Sequence, residues 1–167
     1  MMSVQDIIRH YNMKPLPDEG GYYAETYRAG ETIAVEHLPG RYDTARAYGT
    51  AILYLLTPET FSAVHRLKSD EIFHFYLGDP VEMLRLYPDG GSDVVTLGHD
   101  IKASQMVQVT VARNVWQGTR LVPGGRFALL GCTVAPGFEF ADFEAGERAE
   151  LVKMYPERGE MIRELTG

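Results

Sequence analysis

Apolar and polar positions alternate in short runs along most of this chain, and proline, glycine or aspartate closes nearly every run. Ala51 to Thr57 is apolar and ends at Pro58. Thr60 to Leu67 is followed by Lys68-Ser69-Asp70, and Glu71 to Leu77 ends at Gly78-Asp79-Pro80. Val81 to Tyr87 closes at Pro88-Asp89-Gly90-Gly91, a strong turn sequence. Further runs of strand formers cover Tyr22 to Arg28, Val94 to Leu97, Met106 to Val111, Trp116 to Val122 and Arg126 to Val134. Short strands at spacings of roughly 8–12 residues, with no helical pattern between them, predict a sandwich or barrel rather than a parallel α/β sheet.

Helical patterns are confined to the ends. Ser3-Val4-Gln5-Asp6 ahead of Ile7-Ile8 reads as a capped helix start, and that helix should stop before Pro15. Pro17-Asp18-Glu19-Gly20-Gly21 reads as a turn. Ala145 to Met154 and Glu157 to Leu165 predict two short helices split by Pro156. Gly90-Gly91 and Gly124-Gly125 read as hairpin turns, not phosphate loops, because no helix follows either. No repeat, linker or low-complexity tract divides the chain, so residues 1–167 are expected to form one domain.

Composition narrows the partners. A formal net charge of −7 argues against nucleic acid or an anionic membrane as the main partner. No stretch approaches the roughly 18 apolar residues of a membrane span, and the N-terminus has no basic-then-apolar leader, so a cytoplasmic location is the expectation. The one cysteine, Cys132, lies in an apolar run and reads as a buried thiol packing as a small hydrophobe.

Candidate chemistry concentrates between Ser62 and Gly78. Side chains alternate along a strand, so Ala63, His65 and Leu67 share one face, as do Glu71, Phe73, Phe75 and Leu77. A tight turn at Lys68-Ser69-Asp70 would make the two strands neighbours and aim His65 and Glu71 into one space. A histidine and a carboxylate lining an apolar interior form a candidate acid–base pair, because burial and mutual attraction shift both groups. Phe73, Phe75 and Leu67 would then supply apolar walls for a bound molecule. His74, of opposite parity to Glu71, is expected on the outer face. Tyr22, Tyr23 and Tyr27 read as packing or interface aromatics, and Trp116 as packing at a barrel mouth.

The same segment resembles the first motif of the cupin superfamily: His-x-His, three or four residues, Glu, six residues, Gly. His65, the gap to Glu71 and the spacing to Gly78 match it, whereas Leu67 stands at the second histidine. The second motif, Pro-x-Gly-x-x-His, aligns with Ala112 to Gln117 and puts Gln117 at the last histidine. Gly21 to Arg28, Ser69 to Pro80 and Val134 to Phe138 are similar in wording to the uncharacterised cupin-5 branch, so the resemblance runs roughly from Ile7 to Phe143. It implies an all-β double-stranded β-helix, the cupin jelly-roll barrel also seen in dTDP-sugar epimerases, and a homodimer.

Three classes of function remain open at this point. One is a metal-independent epimerase, isomerase or lyase acting on a small polar, carbohydrate-like metabolite, with His65 and Glu71 catalytic and Gln117 on the ligand. Another is a non-catalytic small-molecule binder. The last is a metal-dependent cupin with the reduced ligand set His65, Glu71 and Gln117. No cofactor and no resident metal are expected, since two of the four ligand positions are lost and an amide is a poor transition-metal ligand.

Overall fold

The structure, a computed structural model, describes residues 2–167. Helix α1 (Val4–Tyr11) starts where the sequence places it: Ser3 Oγ accepts from Asp6 N at 3.2 Å, and the Asp6 carboxylate accepts from Ser3 N at 2.9 Å. Asn12, left-handed at φ 50°, ends the helix ahead of Pro15. Its apolar face sets Ile7 against Leu55, Phe127 and Leu129.

Strands follow in chain order. They are β1 (Lys14–Pro15), β2 (Tyr22–Arg28), β3 (Thr32–Ile33), β4 (Arg46–Ala47), β5 (Thr50–Leu56), β6 (Ser62–Arg66) and β7 (Asp70–Gly78). Then come β8 (Val81–Leu86), β9 (Ser92–Leu97), β10 (Gln108–Val111), β11 (Trp116–Leu121), β12 (Ala128–Ala135) and β13 (Glu144–Ala145). Helices α2 (Arg148–Met154) and α3 (Gly159–Glu164) complete the chain, divided at Pro156 as its fixed ring geometry requires.

Two antiparallel sheets face each other. One has the order β1-β2-β5-β12-β7-β10, the other β13-β6-β11-β8-β9, and β3-β4 form a small separate ribbon. From β5 to β8 successive strands alternate between the sheets, and β10, β11 and β12 alternate again. This differs from the expected hairpin: β6 and β7 are not neighbours, because the short link at Lys68-Ser69 carries the chain across from one sheet to the other. Gly124-Gly125 likewise is a crossing turn and not a hairpin, since β11 and β12 lie in opposite sheets. Among the described residues no ladder joins the two sheets. An isolated bridge between Leu97 and Met106 touches at one side, so the expected closed barrel is here a pair of facing sheets.

Strict alternation along each strand fills the space between them. Tyr54, Phe73, Phe75, Leu130 and Cys132 from one sheet meet Val81, Met83, Leu97 and Leu121 from the other. The outward residues Val64, Leu84 and Leu86 are covered by Leu151, Tyr155, Ile162 and Leu165 of the C-terminal segment. Each such side chain contributes about 1.5–3 kcal/mol on burial. Trp116 belongs to this outer layer, stacked under the Arg66 guanidinium at 4.4 Å, and not to a barrel mouth. Its parity decides this: Gln117 faces inward, so Trp116 faces out.

Candidate functional site

A cavity of about 280 Å³ opens at the end of the interior where Arg28, Thr50, Val134 and Glu71 lie in one cross-strand row. His65, Leu67, Glu71 and Cys132 line its depth, and Phe138, Glu139 and Phe140 its rim.

His65 is held on three sides. Its Nδ1 lies 2.7 Å from Ala63 O; a carbonyl only accepts, so Nδ1 carries a proton and Nε2 is the ring nitrogen left for another partner. That Nε2 stands 3.8 Å from Glu19 Oε1. The ring stacks on Phe143 with centroids 5.0 Å apart. Only 1% of His65 is exposed.

Glu19 comes from the turn before β2, and two hydrogen bonds press that turn onto β6. Ser62 Oγ donates to Glu19 Oε1 at 2.8 Å, and Ala63 N donates to Glu19 O at 2.8 Å. So close an approach needs Gly20: its φ is +98°, and a Cβ there would stand 2.4 Å from Phe61 O.

Glu71, near the start of β7, is 8% exposed, and its Oε2 accepts from Gln117 Nε2 at 2.8 Å. Burial pushes its carboxyl up to about 7, with the Glu19 carboxylate adding to the shift and His65, Gln117 and Cys132 opposing it. Burial, followed by the Glu71 carboxylate, also raises the Cys132 thiol well above its usual range, so it is no ready nucleophile.

At the rim, the Arg28 guanidinium clasps Glu25 through two 3.0 Å contacts, Glu139 Oε1 at 3.0 Å and Phe138 O at 3.1 Å. Arg46 and Asp142, 0% and 2% exposed, form a bidentate pair at 2.9 and 2.6 Å that ties down the segment carrying Phe138, Glu139, Phe140 and Phe143.

The structure brings His65, Glu71 and Leu67 to the cavity wall, while Gln117 stands behind Glu71 as its hydrogen-bond partner. Phe73 and Phe75 require correction. They face inward as their parity demands, but they lie farther along β7, packed in the core and outside the wall. Alternation fixes a face and says nothing of depth. Tyr23, read as packing, lines the cavity, as do Glu19, Arg28 and Cys132. Cys132 could have been found, since it shares a face with Leu130 and Val134. Glu19 could not, because a turn residue carries no periodic signal. His74 is on the outer face as expected, its Nε2 3.0 Å from Thr133 Oγ1.

The donor set does not fit a metal. It offers one imidazole, Leu67 in place of another, and a Gln117 amide whose nitrogen is turned to Glu71. No group of three or more His, Cys, Asp or Glu side chains placed to hold a metal ion occurs among the described residues. Nor is any described helix long and apolar enough to cross a membrane.

Comparison with known proteins gives one consistent frame. The model of a family described as "Cupin superfamily (DUF985)" matches residues 5–146. An uncharacterized protein of Saccharomyces cerevisiae is 32% identical over 132 residues, a match covering 74% of this chain and 66%, just under two thirds, of that protein. Among solved structures, a hypothetical protein from Leishmania major superposes with TM-score 0.87 at 28% identity, covering 99% of each chain. A protein from Shewanella oneidensis gives TM-score 0.87 at 29% identity, covering 100% of this chain and 99% of its own. Oxalate decarboxylase from Bacillus subtilis shares the fold alone, with TM-score 0.55 and 14% identity over 93% of this chain and 37% of that one.

Proposed function

The chain belongs to the cupin superfamily, in the family DUF985, and from that premise we propose that it binds a small polar metabolite between its sheets and moves a proton on it without a metal. The single observation that carries this is the His65 imidazole, fixed at Nδ1 by Ala63 O with Nε2 outside any hydrogen bond to Glu19, in the wall of a cavity. Nε2 takes a proton from the ligand, and Glu71, which exchanges its own proton near neutral pH, returns one. That is the chemistry of an epimerase, isomerase or lyase acting beside a carbonyl. Gln117 acts through Glu71, holding its carboxylate in place. The absence of a fitting donor set supports the metal-independent reading.

In this reading the two sheets are the halves of a cupin double-stranded β-helix, and the protein works as a homodimer. β1 covers β2 only at Tyr22 and Tyr23, which leaves the rest of that strand as an open edge.

Crystals of protein purified without added ligand test the site. Density for a small molecule is expected in the cavity within hydrogen-bond reach of His65 Nε2. A molecule bound only elsewhere, with the cavity filled by solvent, contradicts it. If a molecule occupies the cavity, His65→Ala and Glu71→Gln weaken its binding, and wild type leaves it chemically unchanged, the protein is a binding module.

A further inference from the structure

The cavity's hydrogen-bonding inventory is one-sided. His65 Nδ1–H is given to Ala63 O, the Ser62 hydroxyl to Glu19, Gln117 Nε2 to Glu71 and the Tyr54 hydroxyl to Gly20 O. Glu25, Glu139 and the Phe138 carbonyl engage the Arg28 guanidinium. The Tyr23 and Thr50 hydroxyls can turn either way, and the Cys132 thiol is a weak donor. Two acceptor positions stand open beside the carboxylates. His65 Nε2 is buried at the cavity wall and beyond hydrogen-bond reach of Glu19 at 3.8 Å. Gln117 Oε1, just behind Glu71, has no partner at all.

Charge points the same way. Glu19, Glu25, Glu71 and Glu139 line the cavity against one permanent cation, Arg28, which Glu25 and Glu139 already share. An anionic ligand would meet four carboxylates and, in Arg28, a guanidinium whose charge Glu25 and Glu139 already share. The aromatic rings of Tyr23, Phe138 and Phe140 complete the lining, and ring faces attract cations.

We propose that the ligand is a small organic cation, a polar metabolite bearing a protonated amine, with its charged end at Glu19 and the adjoining atoms at His65 and Glu71. The assignment rests on the cavity being the binding site. An ammonium group has three donors and no acceptor, which complements this inventory. It also cancels the repulsion that the Glu19 carboxylate exerts on Glu71, so binding releases protons and tightens as pH rises through the range where Glu71 ionises.

Titration calorimetry of the full chain near pH 8 with benzylamine, benzyl alcohol and benzoate tests this, the three probes having similar shape and different charge. Benzylamine is expected to bind about tenfold or more tighter than the alcohol, the scale of one charge-assisted hydrogen bond, with benzoate weakest. Glu19→Gln should erase that preference. Independently of any variant, benzylamine should bind wild type more tightly near pH 8 than near pH 6. If the alcohol or benzoate binds as tightly as the amine, the charge assignment fails and the cavity stands as a binding site. If none of the three binds to cooperatively folded protein, both fail.

Discussion

His65 Nε2 and Glu19 Oε1 face each other across 3.8 Å, in a wall that also holds Glu71. Neither carboxylate is hydrogen-bonded to the imidazole. Glu19 is steadied by Ser62 and Glu71 by Gln117, so each of the three titratable groups is clamped by a different neutral partner.

Glu71 ties stability to pH. Its carboxyl is raised from 4.5 to about 7, so between those values the folded state holds more protons than the unfolded one. The stability this proton contributes is fully present below about pH 4.5, falls as pH rises and is gone above about pH 7. Glu71→Gln should therefore exceed wild type in urea stability near pH 8 by up to about 3 kcal/mol and match it near pH 5. Equal stabilities at both pH values would show Glu71 to be ionised throughout.

How much of this was legible in sequence depends on what kind of signal each residue carries. Alternation placed His65 and Glu71 inside and His74 outside, and turn residues marked nearly every strand end. Alternation cannot say which sheet a strand joins, so it gives the inward faces of β6 and β7 and not their places in opposite sheets. It cannot give depth either, which is why Phe73 and Phe75 were assigned to a wall they only back. Glu19 reaches the site through Gly20 and a tertiary contact with Ser62, and no local pattern encodes that contact.

The buried Arg46–Asp142 pair should be strongly asymmetric in its energetics. Removing one partner leaves an unpaired buried charge, so Arg46→Ala or Asp142→Ala alone should cost about 3–5 kcal/mol in denaturant unfolding. The double variant Arg46→Met with Asp142→Leu should recover most of that loss. Because this pair anchors the segment bearing Phe138 and Phe143, single variants should also weaken ligand binding. A double variant no better than the singles would show that the pair is worth more than its charges.

Light scattering should report a dimer at micromolar concentration. Tyr27 and Tyr48 are 58% and 53% exposed beside the open stretch of β2, and a partner would cover them. A stable monomer contradicts this.

Elemental analysis after dialysis against a mild chelator should find zinc, manganese, iron, nickel and copper well below one per chain. Stoichiometric metal that survives dialysis and is lost in His65→Ala would mean that the one imidazole and its neighbouring carboxylates suffice after all.

Solvent deuterium reads the central claim most directly. Wild-type protein incubated in D2O with small-metabolite extracts, followed by mass spectrometry, should place deuterium at a carbon-bound position of at least one metabolite. His65→Ala should reduce that incorporation by about 10²-fold or more, the scale of a lost general base, while keeping its cooperative unfolding. Incorporation that is undiminished in His65→Ala, or absent from wild type for a metabolite shown to occupy the cavity, would contradict proton transfer at this site.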